Sequence, residues 1–467
     1  MSAERFDAVV LGSGQAGKPL TLALAKAGWK VALVEREHVG GTCINVGCTP
    51  TKTMIASARV AYLARRGADY GVNLNDVTVN LPRVVARKQA MVERFRNYGQ
   101  KKLEEADNVE LIFGAARFVD AKTVEIRLNA GGSGAAAVRR LTAPKIVINT
   151  GGRPALPPIP GLADVPALDS TSIMELREVP RHLLVLGGGY IGLEFGQMFR
   201  RFGAQVTVLQ REPQLVPRED ADVAAALRTI LEEDGLRVET DIAIERFERA
   251  GQGVRVTFTR GGKLHSIDGS HLLVAVGRTP NTAELDLAAA GVATAKGGHV
   301  QVDSTLATNV PGIFAVGDVK GGPEFTHISY DDFRVLRDRW IEDKRASIDG
   351  RLVPYAMFTD PELASVGLNE RAARKAGKDI RVASIPMSGI ARALETDESR
   401  GLFKVIVDAK TRQILGCTVL GIAGGEIMSM IQIAMMGKLP YTALEQAVFA
   451  HPTLAEGLNN IFMALDG

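Results

Sequence analysis

Two cysteines, Cys43 and Cys48, stand in the run Gly41-Thr42-Cys43-Ile44-Asn45-Val46-Gly47-Cys48-Thr49-Pro50-Thr51-Lys52. Thiols at this spacing can meet on a distorted helical turn and close a small disulfide ring. Such a ring accepts two electrons and returns them by thiol–disulfide exchange. A helix N-terminus and Lys52 would favour a thiolate there. By spacing alone, a pair of small buried apolar cysteines competes with that reading. A metal site competes less well, because zinc ordinarily takes four ligands at closer pair spacing and the chain has three cysteines. The expectation is no resident metal. The third cysteine, Cys417, lies in an apolar run and reads as a core residue.

A redox pair needs an electron source, and the chain carries two units suited to holding a dinucleotide. Residues 6–11 are a strand-like apolar run ending in Gly12-Ser13-Gly14-Gln15-Ala16-Gly17, followed by a helix-like segment at 19–27 and a second strand at 31–34. Gly12, Gly14 and Gly17 permit a tight turn, close approach of a pyrophosphate and close helix–strand packing. The helix N-terminus then supplies N–H donors. Glu35, 23 residues after Gly12, can bind a ribose 2′-hydroxyl. The pattern recurs at 182–186 with Gly187-Gly188-Gly189-Tyr190-Ile191-Gly192, a helix at 194–202 and a strand at 206–209, so that Gly187, Gly189 and Gly192 form the second turn. There the acid position holds Gln210, with Arg211 and Arg218 following. Arginine forks suit a 2′-phosphate, which favours NADPH over NADH, although Glu212 beside Arg211 weakens the preference and NADH stays possible.

The remaining chain positions these groups. Its 467 residues suffice for about three domains of ~150 residues. A net charge of +3, from 56 basic and 53 acidic residues, argues against nucleic-acid or membrane partners. No apolar run reaches the ~18 residues of a membrane span. With no signal-peptide pattern at the N-terminus, a cytoplasmic location is expected. Residues 83–102 read as an amphipathic helix, 130–134 as a loop tip, and 151–160 and 277–280 as two crossings between domains. Beyond residue 354, strands at 403–407 and 415–420 with an apolar helix at 427–436 indicate an α+β domain. The expected fold is α/β: two Rossmann-like dinucleotide-binding domains plus a C-terminal α+β domain. His451 opens His451-Pro452-Thr453-Leu454-Ala455-Glu456. Proline suits a first helical turn, which would leave His451 at its mouth with Glu456 able to orient the imidazole. His327 reads as a packed histidine.

The string from Gly40 to Lys52 resembles the active-site signature of the class I pyridine nucleotide–disulfide oxidoreductases, and the likeness runs from Phe6 to about Met463. The resemblance implies an FAD-dependent NAD(P)H oxidoreductase, with FAD-binding parts at 1–150 and 282–350, an NAD(P)-binding domain at 151–281 and a dimerisation domain at 351–467. It implies that Cys43 is the exchange thiol and Cys48 the thiolate in charge-transfer contact with flavin, with Lys52 near the ring and Glu194 as its ion-pair partner. Gly317 and Asp318 would hold the ribityl–phosphate arm, Tyr190 would gate the nicotinamide pocket, and Thr42, Thr150, Gly151 and Gly277 complete the cofactor-binding set. His451 with Glu456 would be the acid–base pair, reaching the thiols from the other subunit of an obligate homodimer. The acceptor would be a disulfide, a quinone or a metal ion. Alternatives are an NAD-linked dihydrolipoyl dehydrogenase, a mercuric reductase and, in a different class, a flavin-binding redox sensor without turnover. Two departures bear on these: no cysteine follows Cys417, where mercuric reductases carry a terminal pair, and Gln210 replaces the acid usual in dihydrolipoyl dehydrogenases. The wording of several segments, among them Gly28-Trp29-Lys30-Val31, is most similar to a mercuric-reductase-like bacterial branch.

Overall fold

The computed structural model describes residues 3–129 and 137–465; the stretch 130–134, expected as a loop tip, lies outside the described residues. The chain divides into two compact units. One comprises Met1–Thr53, Val85–Ala155 and Gly277–Arg351; the other comprises Met54–Val84, Leu156–Val276 and Leu352–Gly467.

The first unit is built on an eight-stranded sheet in the order Glu4–Arg5, Val138–Thr142, Thr123–Leu128, Val109–Asp120, Val31–Glu35, Ala8–Leu11, Lys145–Ile148, Ile313–Ala315. The last four strands, with the start of Val109–Asp120, pair in parallel. Parallel strands are covered on both faces and so read as near-continuous apolar runs. Val9, Leu11, Ile146 and Ile148 enter one core. Ala8, Val10 and Val147 enter another with Leu20 and Leu24 of the helix Gly17–Lys26 and Phe333 and Leu336 of the helix Thr326–Trp340. Gly17 already belongs to its helix, two residues earlier than expected, because a glycine lets the first turn close onto the strand end. The two expected crossings meet each other: Gly152–Pro154 pairs antiparallel with Arg278–Pro280.

The second unit holds a parallel sheet in the order Arg237–Glu239, Gln205–Leu209, His182–Leu186, His271–Val274, Ala167–Leu168. Its helix Tyr190–Phe202 starts four residues earlier than expected, because the extended Gly189 takes the N-cap and leaves Tyr190 as the first helical residue. An antiparallel meander of Ala243–Ala250, Gly253–Arg260 and Lys263–Gly269 follows. The C-terminal part is an antiparallel sheet in the order Tyr355–Met357, Glu362–Gly367, Ile414–Gly421, Leu402–Asp408, Ile380–Pro386. Ile427 and Ile431 of the helix Gly424–Met436, with Ile461 and Phe462 of Gly457–Met463, pack on it beside the fully buried Cys417. Among the described residues no helix is long and apolar enough to cross a membrane.

Candidate active site

The first glycine turn is closed so tightly that side chains cannot be added. Gly12 has φ +105°, and a Cβ there would lie 2.3 Å from the Asn149 carbonyl; one on Gly17 would lie 2.1 Å from the Gly12 carbonyl. Gly14 is less confined, with the Asn149 amide 3.2 Å from the position a Cβ would take. Asn149, not anticipated from sequence, donates from Nδ2 to the Gly12 carbonyl at 2.9 Å. Glu35 reaches back to the turn, accepting from the Ser13 N–H at 3.0 Å and the Ser13 hydroxyl at 2.6 Å. Ser13 Oγ in turn accepts from the Gly40 N–H at 3.0 Å, and Gly41, at φ +63°, leaves room for a Cβ only 2.8 Å from Gly14 Cα. The cysteine-bearing segment is thereby seated on the glycine turn.

Three adjacent parallel strands end at Gly12, Thr150 and Gly317, the edge where α/β sheets bind nucleotides. Asn281 bridges the backbone there: it accepts from the Thr150 hydroxyl, donates from Nδ2 to the Thr150 carbonyl, and donates its N–H to the Gly151 carbonyl. Thr42 Oγ1 lies 4.0 Å from where a Gly151 Cβ would be. The Gly317 N–H donates to Asp332. Asp318 sits 3.8 Å from Arg278; burial pushes its carboxyl up, against the pull of Arg278 and Lys320. A cradle whose closest approaches are made by glycines, with Glu35 at one end and Asp318 at the other, fits the phosphates and hydroxyls of a dinucleotide such as FAD. Gly277, at φ +137°, has no heavy atom within 4 Å of a would-be Cβ.

Both thiols of the pair are free. Cys43 lies in the short helix Gly41–Asn45, and Cys48 opens the helix Cys48–Arg65 after a break at Val46 and Gly47. That break is the distortion the spacing called for. Cys48 Sγ is 3.0 Å from Thr326 Oγ1, and Thr326 opens the helix Thr326–Trp340. Its hydrogen bond from Cys43 lowers Cys48 to about 6, with burial opposing and with Thr326 and Lys52 assisting. Cys43 moves upward, chiefly because it donates to Cys48 and because it is buried. The proton therefore rests on Cys43 and the negative charge on Cys48, at the positive end of its own helix.

In the second unit Gly187 has φ +113° and would place a Cβ 2.4 Å from the Ala275 carbonyl, and a Cβ on Gly192 would lie 2.1 Å from the Gly187 carbonyl. Gly189 faces open space. Gln210 is buried and accepts the Gly188 N–H at 2.8 Å. Only the amide oxygen can accept, so the bond also fixes which end of the amide is left to donate. Arg211 is 86% exposed and paired with Glu212, and Arg218 is exposed. Tyr190 donates to Glu219 at 2.9 Å, and Glu194 is buried, accepting from the Phe358 N–H at 2.8 Å.

His451 is 71% exposed and its Nδ1 lies 3.0 and 3.1 Å from the two Glu456 oxygens. With Nδ1–H donating there, Nε2 is left as the acceptor nitrogen of the ring. Glu456 is held below the usual carboxylate range by the Thr453 N–H first and by His451 second. One expectation needs correction: Pro452 is not in a first helical turn. Thr453 is the N-cap, and the helical turn starts at Leu454, because Thr453 and Glu456 form a reciprocal capping box. His327 is not packed inside; it is exposed and stacked on Phe325 at 5.4 Å.

Comparison with known proteins agrees with this geometry. Residues 6–332 match the pyridine nucleotide-disulphide oxidoreductase family, and residues 353–461 match its dimerisation domain. The chain is 38% identical to the probable pyridine nucleotide-disulfide oxidoreductase RclA of Escherichia coli, covering 98% of this chain and 99% of that protein. It is 35% identical to a dihydrolipoyl dehydrogenase of Thermus scotoductus, covering 98% and 97%. A solved structure described as the Cu(II) complex of HOCl-induced flavoprotein disulfide reductase RclA from Escherichia coli superposes with a TM-score of 0.88 at 38% identity, over 98% of this chain and 99% of that one. The chain is an FAD- and NAD(P)H-dependent oxidoreductase and belongs to the pyridine nucleotide–disulfide oxidoreductase family.

Proposed function

We propose that the protein reduces a small soluble acceptor with NADPH, using Cys43 and Cys48 as the redox disulfide. The observation that carries this is the division of labour in the pair: a proton on Cys43 and a thiolate on Cys48 gripped by Thr326. Bound FAD supplies the relay that turns a hydride from NADPH into two electrons for the pair. Gly12, Gly14, Gly17, Glu35, Thr42, Lys52, Thr150, Gly151, Gly277, Gly317 and Asp318 hold it in this reading. Gly187, Gly189, Gly192 and Tyr190, with Arg211 and Arg218, receive the nucleotide. Of the break points between the two compact units, those near residues 155, 276 and 351 lie close to the domain limits of 1–150, 151–281, 282–350 and 351–467, while those near 53 and 84 set residues 54–84 apart from the rest of 1–150.

For a disulfide acceptor, His451 takes the proton from Cys43, whose thiolate attacks one substrate sulfur; the other substrate sulfur leaves as a thiolate and takes that proton back from His451. Cys48 then attacks Cys43, releasing the second substrate thiolate and restoring the protein disulfide. Substrate gains two electrons and two protons; the pair gives up both electrons and the one Cys43 proton, and the second proton comes from solvent. The dimerisation-domain match supports a homodimer in which His451 and Glu456 serve the partner's thiols. A second acceptor class is Cu(II), favoured by the copper complex solved for the similar RclA. Two Cu(II) ions would each take one electron and leave the same disulfide. Use of NADPH and a reduced thiol pair suits the cytoplasm.

The test is NADPH oxidation by the holoenzyme against lipoamide, glutathione disulfide, quinones, Cu(II) and Hg(II). Sustained turnover with a disulfide or Cu(II) that needs both cysteines supports the proposal. Turnover that persists in Cys43→Ser for every acceptor overturns it.

A further inference from the structure

Beneath the second glycine turn lies a buried acid with no place in the thiol chemistry. Glu219 is fully buried, and its Oε1 accepts two phenol hydroxyls, from Tyr190 at 2.9 Å and Tyr355 at 2.7 Å. Its Oε2 is buried and has no hydrogen-bond partner among the described residues. The two tyrosine rings stack with centroids 5.6 Å apart and planes 22° from parallel. Burial pushes the Glu219 carboxyl up, while the two hydroxyls and Arg371 pull it down and Asp220 adds to the rise. Keeping a carboxyl this deep on two phenols, with one oxygen unserved, is costly, and a fold does not need it to pack two aromatic rings.

Glu219 also belongs to the segment that follows Gln210. That segment is fastened to the glycine turn, with the Val216 N–H donating to the Gly188 carbonyl at 2.9 Å. On its other side the Arg218 carbonyl accepts from Asn369 and Arg371, and Asp220 accepts the N–H groups of Glu370 and Arg371 and pairs with Lys404 at 3.1 Å. The residue that grips Tyr190 therefore directly follows Arg218 on a segment clamped at both ends.

We infer that Glu219 is a latch that holds Tyr190 against Tyr355 and thereby sets the protein's affinity for the reduced nucleotide. This rests on the reading of Tyr190 as the residue a nicotinamide ring displaces. If the latched ring excludes the nicotinamide, the apparent affinity is the intrinsic affinity reduced by the fraction of molecules already unlatched. Weakening the latch raises that fraction and tightens binding. Glu219 is a positioning residue here, acting through Tyr190, and Tyr355 is the rest on which the ring is held.

The experiment is anaerobic stopped-flow reduction of the FAD holoenzyme by NADPH over a concentration series, for wild type, Tyr190→Phe, Glu219→Gln, the double variant and Tyr190→Ala. The latch predicts that Tyr190→Phe and Glu219→Gln each lower the apparent NADPH dissociation constant threefold or more, and that the double variant goes no further than the stronger single one. A gain in affinity is not what a damaged fold produces, so it separates positioning from a structural role. If Glu219→Gln fails to fold, Tyr190→Phe, which keeps the ring, still decides. An unchanged or raised dissociation constant in Tyr190→Phe and Glu219→Gln, with a changed one in Tyr190→Ala, overturns the latch and leaves the gate. No change in Tyr190→Ala removes the gate and the latch together.

Discussion

At the scale of single residues, the chemistry turns on where one proton sits. Cys48 at about 6 is a thiolate above that pH and is neutralised below it, while Cys43, pushed upward, keeps its proton across the same range until a base takes it. Long-wavelength charge-transfer absorbance of the two-electron-reduced holoenzyme should therefore fade as pH falls through about 6. Thr326→Val removes a donor to the thiolate. A hydrogen bond to a charged group is worth about 1.5–3 kcal/mol, so the midpoint should rise by roughly one pH unit or more. A midpoint that does not move in a pH titration of Thr326→Val would mean the hydroxyl does not serve the sulfur. Thr326 was not legible in the sequence: 278 residues separate it from Cys48, and nothing in its neighbours Phe325 and His327 marks a threonine as a sulfur ligand. The cysteines were legible because their spacing permits a closable ring and the string from Gly40 to Lys52 carries the family resemblance.

At the scale of elements, glycine spacing announced both turns, since only a residue without Cβ fits where Gly17 and Gly192 meet the carbonyls of Gly12 and Gly187. Strand and helix types followed from those turns, with helix starts misplaced by two to four residues because the glycine and its N-cap decide the start and the apolar pattern does not. The braces were illegible for the opposite reason: Asn149, Ser13, Tyr355 and Glu219 are ordinary polar residues until the fold brings them to their partners. The acid missing at 210 gives a testable consequence. Gln210 Oε1 is committed to the Gly188 N–H, and the neighbouring Arg211 is exposed and paired with Glu212, so in the proposed NADPH site the 2′-phosphate would compete with Glu212 for Arg211. Gln210→Glu combined with Arg211→Ala should raise KM for NADPH and lower it for NADH, by roughly tenfold if one exposed phosphate contact of about 1–2 kcal/mol is lost. Steady-state KM values for both nucleotides decide it, and a wild-type preference for NADH would refute the specificity reading at once.

At the scale of the whole molecule, the dimerisation domain carries His451 on an exposed segment, with Nδ1 turned to Glu456 and Nε2 without a hydrogen bond among the described residues. General acid–base help of this kind contributes about 10²–10⁴-fold. His451→Ala should lose that much in disulfide turnover and little in dye or quinone reduction by the flavin, where no leaving thiolate needs a proton. Equal losses for all acceptors would make His451 a structural residue. The central claim, that electrons from NADPH pass through FAD into Cys43 and Cys48, is tested most directly by anaerobic titration of the oxidised holoenzyme with NADPH while following its visible spectrum. The first equivalent should produce long-wavelength absorbance in wild type, Cys48→Ser should never show it, and Cys43→Ser should show it before any NADPH is added. Direct bleaching of the flavin by the first equivalent in wild type, without that absorbance, would contradict the account.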